Sequence, residues 1–196
     1  MTRLGLVVFA FLLLASLSGC GINNIPTYEE QAKAAWSQVE SQYQRRADLI
    51  PNLVATVKGY ASHERETLEA VVQARAKATS FQVPPDLLTN PEAFRQFQAN
   101  QDQLSNALSR LLVTVERYPD LKANQNFLTL QSQLEGTENR IAVARKDYIE
   151  AVRQYNTEMK TIPGRWWHSW LYPEYEPMPN FTAPEATKGP APQVQF

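Results

Sequence analysis

Thiols, imidazoles and glycines are all scarce in this chain. Its 196 residues include one cysteine (Cys20), two histidines (His63 and His168) and seven glycines. One cysteine excludes any disulfide within the chain, so stability has to come from packing. The histidines lie far apart and form no HExxH zinc pattern, and the glycines are scattered rather than gathered into a phosphate-cradling loop. No spacing brings a serine, a histidine and an orienting acid together. These absences give no catalytic residue, no metal-ligand set and no cofactor site, and the reading is non-enzymatic. A charge surplus is missing too. There are 19 basic and 20 acidic residues, a net charge of −1. That balance excludes the basic footprint of a nucleic-acid binder.

The N-terminus is distinctive. Arg3 gives a short basic start, Leu4 to Ala15 is almost wholly apolar, and Ser16 to Gly19 is mostly small. That order is a secretory signal. The apolar run is short of the roughly 20 residues a membrane span needs, although a retained helix is the competing reading. Leu17-Ser18-Gly19-Cys20 resembles the bacterial lipoprotein signal, in which Cys20 is lipidated and becomes the first mature residue. The rest of the chain would then be held to a membrane by acyl chains, in the cell envelope and facing the periplasm or the exterior. Gly21 follows the cysteine, not an acid, which favours the outer membrane in a bacterium with two membranes.

Past a Gly21 to Pro26 spacer, helical periodicity dominates. Thr27-Tyr28-Glu29-Glu30 has the form of a capping box. Trp36, Val39, Tyr43, Ile50, Leu53, Val57 and Tyr60 follow at steps of three, four and seven, and Arg46 breaks the stripe once. Pro51 has two solutions: a kink, or a fresh helix capped by Asp48 with the proline in its first turn. Ser62 is a candidate cap for a segment running to about Thr79. Asn90-Pro91-Glu92 starts another helix, carrying Phe94, Phe97, Leu104, Leu108, Leu111, Val115 and Tyr118, with one wide gap across Gln101. The run from Gln96 to Gln103 reads as a polar face. From about Asn124, Phe127, Leu134, Ile141, Tyr148, Tyr155 and Ile162 recur at seven-residue steps. That is a heptad seam for near-parallel packing.

No strand pattern of comparable length precedes Thr161, so the fold class is all-α. Helices this long need partners of similar length, which predicts an elongated antiparallel up-and-down bundle of four helical segments. The chain divides into residues 1–19, the signal peptide; 20–26, the lipidated cysteine and spacer; 27–162, the bundle; and 163–196, an aromatic and proline-rich tail. Pro173 onward is expected to be extended or disordered.

At Arg45-Arg46-Ala47-Asp48-Leu49-Ile50-Pro51-Asn52-Leu53-Val54 the chain resembles the LemA family. Thr56-Val57-Lys58-Gly59-Tyr60, His63-Glu64, Tyr118-Pro119-Asp120-Leu121-Lys122-Ala123-Asn124, Glu138-Asn139-Arg140-Ile141-Ala142 and Tyr155-Asn156 extend the likeness. The ending Pro192-Gln193-Val194-Gln195-Phe196 is similar to that family's usual finish. The resemblance implies a four-helix bundle fastened to a membrane. It implies no activity, since the family has no agreed biochemical function and no known catalytic residues. Genes of the family often lie near those of envelope proteins, membrane metallopeptidases among them. The lipoprotein-type start departs from relatives that retain an N-terminal membrane helix.

Three groups are candidate sites. Arg45, Arg46, Asp48 and Asn52 surround Pro51, either as a polar pocket for an acidic or amide-bearing group or as a local set satisfying freed backbone groups. Glu138, Asn139 and Arg140 are placed to meet that set, and a buried Glu–Arg pair there would fix register. His63-Glu64-Arg65-Glu66 reads as a solvated helix start. Trp166, Trp167 and Trp170 form an aromatic cluster suited to a protein partner or to membrane headgroups, or to covering one end of the bundle. Val194 and Phe196 alternate before the terminal carboxylate, a form that adds a strand to a PDZ-like domain such as those of envelope proteases. The expectation is therefore a membrane-anchored binding or scaffold protein, with an envelope enzyme or ligand-binding protein using the Arg45–Asn52 pocket as the alternative.

Overall fold

The computed structural model describes residues 21–80 and 84–182, and every regular element among them is helical. We label these α1 (Asn24–Tyr60), α2 (Arg65–Ser80), α3 (Pro91–Val115), α4 (Pro119–Lys122), α5 (Gln125–Glu158) and α6 (Gly164–Leu171). At a rise of 1.5 Å per residue, α1 is about 55 Å long and α5 about 50 Å. They run antiparallel along their whole length. The Asn24 amide at the start of α1 donates to Glu158 Oε1 at the end of α5 (3.1 Å). At the far end, Asn124 Nδ2 donates to the Tyr60 hydroxyl (2.9 Å). α2 returns along α1, and α3 rises beside both. The bundle is thus up-down-up-down, as the apolar stripes require. None of these helices is long and apolar enough to cross a membrane.

Helix ends follow local chemistry, with some corrections to the sequence reading. Asn90 caps α3, its side-chain oxygen accepting from the Glu92 and Ala93 amides (both 3.1 Å), and Asn124 caps α5 through the Phe127 amide (3.0 Å). α1 begins before the expected spacer ends. Ile25 is wholly buried, and Pro26 sits in the first turn, where no amide partner is needed. The Thr27 box therefore lies inside the helix, and the Thr27 amide donates to the Asn23 carbonyl (3.1 Å). Gly21 makes the turn that launches α1 with φ +87°, a conformation that favours glycine. Ser62 caps nothing, since α2 starts at Arg65. Glu64, expected to be solvated, accepts from Arg117 (2.9 Å) and from the Tyr118 hydroxyl (2.8 Å), tying the α1–α2 turn to the end of α3. Tyr60 and Ile162, placed on the stripes, are exposed because both lie at bundle ends.

Pro51 neither restarts α1 nor breaks it: one helix runs through. A proline at position 51 leaves the Ala47 carbonyl without its intrahelical donor. Arg75 Nε on α2 donates to that carbonyl instead (2.8 Å). The proline ring lies on the solvent side of the helix.

The chain beyond α5 turns back onto the bundle. Residues 173–182 are largely extended, as expected, but they are docked as a strap along α5 and α3. Asn156 clasps Met178, donating to its carbonyl (2.8 Å) and accepting from its amide (3.0 Å). Gln98 does the same for Thr182 (2.5 and 3.2 Å). The Tyr155 and Tyr148 hydroxyls donate to the Glu176 and Pro179 carbonyls (both 3.0 Å). Met178 and Phe181 are buried, and Phe181 packs against Trp36, Phe94 and Tyr148 beneath the Arg145 guanidinium.

Arg75→Ala should lower stability by about 1–2 kcal/mol by leaving a carbonyl unpaired. In a Pro51→Ala background, which restores the amide, the same change should cost less than half as much. Urea unfolding of the four proteins of this double-mutant cycle provides the check.

Candidate functional site

The four residues around Pro51 do not form one pocket. Arg45, Asp48 and Asn52 are exposed, and Asp48 accepts only from Gln44 on its own helix (2.8 Å). Arg46 points the other way and is 1% exposed. Its Nη1 donates to Ser105 Oγ (2.7 Å) and Glu138 Oε1 (2.9 Å), and its Nη2 to Gln101 Oε1 (2.7 Å) and the Gln101 carbonyl (3.3 Å). The guanidinium also lies 5.0 Å from the Tyr43 ring centroid. Burial raises the Tyr43 phenol above its ordinary value. Of the groups expected to meet across the bundle, Glu138 pairs with Arg46, while Arg45, Asp48 and Asn52 take no part in it.

This layer divides the core in two. On one side lie Trp36, Val39, Tyr43, Phe94, Phe97 and Ile141, together with the strap. On the other lie Ile50, Leu53, Val57, Leu104, Leu108 and Leu134. The two interruptions seen in the sequence, Arg46 in the α1 stripe and Gln101 in the α3 gap, face each other across it. Gln101 and Gln98 are buried, so the glutamine run is only partly a solvent face. Beside the layer, an α3–α5 cleft of about 410 Å³ is lined by Ser105, Leu108, Ser109, Leu112, Leu134 and Glu138.

Among the described residues, no group of three or more His, Cys, Asp or Glu side chains is placed to hold a metal ion. His63 is exposed, and His168 binds the Tyr175 carbonyl through Nε2 (2.9 Å). Cys20, Val194 and Phe196 lie outside the described residues.

The tryptophan cluster splits by direction. Trp167 turns inward against the core, while Trp166 is 47% and Trp170 71% exposed. α6 itself is held tightly. A Cβ at Gly164 would lie 2.2 Å from the Glu158 carbonyl oxygen, so only glycine allows this approach. The Tyr172 hydroxyl donates to Asn23 Oδ1 (3.3 Å), fastening the end of α6 to the start of α1. Sequence reasoning missed the strap and its clasps, Asn156 and Gln98. The only cue was the apolar pair Met178 and Phe181 within a proline-rich stretch.

Glu138→Ala should lower stability by about 2 kcal/mol. That is less than a wholly buried pair would lose, because Glu138 is 41% exposed and Gln101 and Ser105 still hold the guanidinium. Thermal melts followed by circular dichroism would measure it. Desolvation also holds the Tyr148 and Tyr155 phenols well above their ordinary value of 10.0. The folded state favours the neutral phenols, so their contribution is complete below pH 10.0 and declines as pH rises beyond it. Urea midpoints measured across the alkaline range should fall, and Tyr148→Phe should flatten that fall.

The sequence pattern of the LemA family matches residues 35–196, a range that takes in most of α1 and everything after it. Protein LemA of Metamycoplasma hominis is 24% identical over 140 residues, covering 71% of this chain and 60% of that protein. Magnetosome protein MamQ 2 of Paramagnetospirillum magneticum is 26% identical over 157 residues, covering 72% of this chain and 58% of that protein. Magnetosome protein MamQ of Magnetospirillum gryphiswaldense is 27% identical over the same length, with the same shares. The chain thus spans about three fifths of these relatives. With the family pattern extending over most of an all-helical bundle, this chain belongs to the LemA family.

Proposed function

We propose that this LemA family protein is a non-enzymatic binding or scaffold module of the bacterial envelope, tethered to a membrane through its N-terminus. The observation that carries the non-enzymatic reading is the closure of the Arg46 layer. The enzyme alternative needs a cavity in which Arg46 and Asp48 stand unpaired and reachable. Arg46 is instead sealed between α1, α3 and α5, and Asp48 faces solvent on a convex helix. The relatives' names state no reaction.

The tether reading rests on the apolar run from Leu4 to Leu17 and on Leu17-Ser18-Gly19-Cys20, with Cys20 as the lipidated residue. Such an anchor places the rod on the periplasmic or outer side, at the outer membrane in a bacterium with two membranes. For partners, the α3–α5 cleft offers apolar Leu108, Leu112 and Leu134 rimmed by Ser109 and Glu138. The strap already occupies the neighbouring stretch of the same seam, so an extended segment suits this groove. Val194 and Phe196 supply a second contact of different form, a free carboxyl end for a PDZ-bearing envelope protease.

Photo-crosslinking in intact cells, from positions 112 and 195 in turn, tests the proposal. A discrete adduct with one envelope protein is expected from at least one position. An adduct from position 195 should vanish when a glycine is added after Phe196. No protein adduct from either position would overturn the scaffold reading.

A further inference from the structure

Four apolar side chains of α6 and the turn before it are exposed. Ile162 is 64% exposed, Trp166 47%, Trp170 71% and Leu171 49%. Trp166 and Trp170 are four apart within α6 and so lie along one side, and Ile162 lies in the turn just before the helix. The opposite side of α6 is committed: Gly164 abuts Glu158, Trp167 meets the core, and His168 holds Tyr175. The aromatic side is therefore presented outward by a firmly seated helix.

Its location identifies what it meets. The Tyr172–Asn23 and Asn24–Glu158 hydrogen bonds join α6, the end of α5 and the start of α1 at one end of the rod. Gly21 lies at that same end and is bonded directly to Cys20, the residue of the proposed tether. A membrane anchor of either kind, acyl chains or a helix, brings the bilayer surface to this end. Tryptophan suits the headgroup level, where its ring is buried and its N–H stays hydrated. The charged neighbours are balanced, Lys160 and Arg165 against Glu174 and Glu176, all exposed. The contact therefore depends on aromatic burial and not on headgroup charge.

We infer that the exposed side of α6, formed by Trp166 and Trp170, rests on the lipid surface to which the chain is tethered. This rests on the tether proposed above. It assigns the tryptophans to lipid instead of a protein partner, and it stands the bundle on its α6 end.

The test uses the full-length lipidated chain, reconstituted into phosphatidylcholine vesicles whose lipids carry bromine near the headgroup end of the acyl chains. Two of the four tryptophans are exposed on α6, so emission should fall by about a third to a half. Trp166→Ser/Trp170→Ser should keep its helix content and lose most of the quenching, because Trp36 is buried and Trp167 faces the core. Adding phosphatidylglycerol should change neither result. If both proteins float with the vesicles and are quenched equally, or not at all, the lipid contact is overturned and the tether stands. Failure of the parent chain to float would overturn both. If the double variant loses its fold, the unaltered chain still decides: a red-edge emission component reachable by aqueous acrylamide on the vesicles would overturn the inference, and its loss relative to detergent solution would support it.

Discussion

The Arg46 layer fixes the arrangement of the bundle. Long helices with apolar stripes can slide past one another by a turn at little cost, since one ridge of leucines packs much like the next. A buried guanidinium has no such freedom. It must meet Glu138 on α5 and both Gln101 and Ser105 on α3 together, or remain charged without partners in an apolar core. Only one register of α1, α3 and α5 achieves this. The layer adds little net stability; what it supplies is a unique alignment for two apolar halves that would otherwise tolerate several.

A second constraint is unequal length. α1 has 37 residues and α5 34, whereas α2 has 16 and α3 25. The shorter pair cannot cover the longer one, so the stretch around Trp36, Tyr148 and Tyr155 needs other covering. Leu87, in the connection before α3, covers part of it, and the strap covers more with Met178 and Phe181. The strap has no helical or sheet ladder to satisfy its backbone. Asn156 and Gln98 provide the equivalent, each offering a side-chain amide whose donor and acceptor match one residue's carbonyl and N–H. The phenols of Tyr148 and Tyr155 complete the pairing. Sequence segments without periodicity can thus be core structure when long side chains on neighbouring helices complete their hydrogen bonds.

Much of this was legible in the residues. Stripes of three, four and seven placed the helices, and Asn90 and Asn124 marked two starts correctly because side-chain capping is a local event. The two irregular positions, Arg46 and Gln101, were visible as breaks in separate stripes, and their meeting explains both. Arg75 was not legible. It sits in an alanine-rich helix with nothing to mark it, and its partner is a backbone carbonyl freed by a proline 24 positions earlier. The strap was hidden for a similar reason: its partners are single amides and phenols spread over two helices. Around Pro51 the sequence grouped Arg45, Arg46, Asp48 and Asn52 by proximity, but one helix turn sends Arg46 inward and the others outward.

The uninterrupted path of α1 through Pro51 has a mechanical consequence. A hinge at that point would let the two halves of the molecule move separately. With the Ala47 carbonyl held from α2, bending there requires breaking a contact between helices as well as deforming one. The bundle then behaves as a stiff lever about 55 Å long. A tilt of about 10° at the α6 end would sweep the opposite tip, near Tyr60 and Asn124, through about 10 Å. Small reorientations at the base become displacements at the tip comparable to the width of a helix.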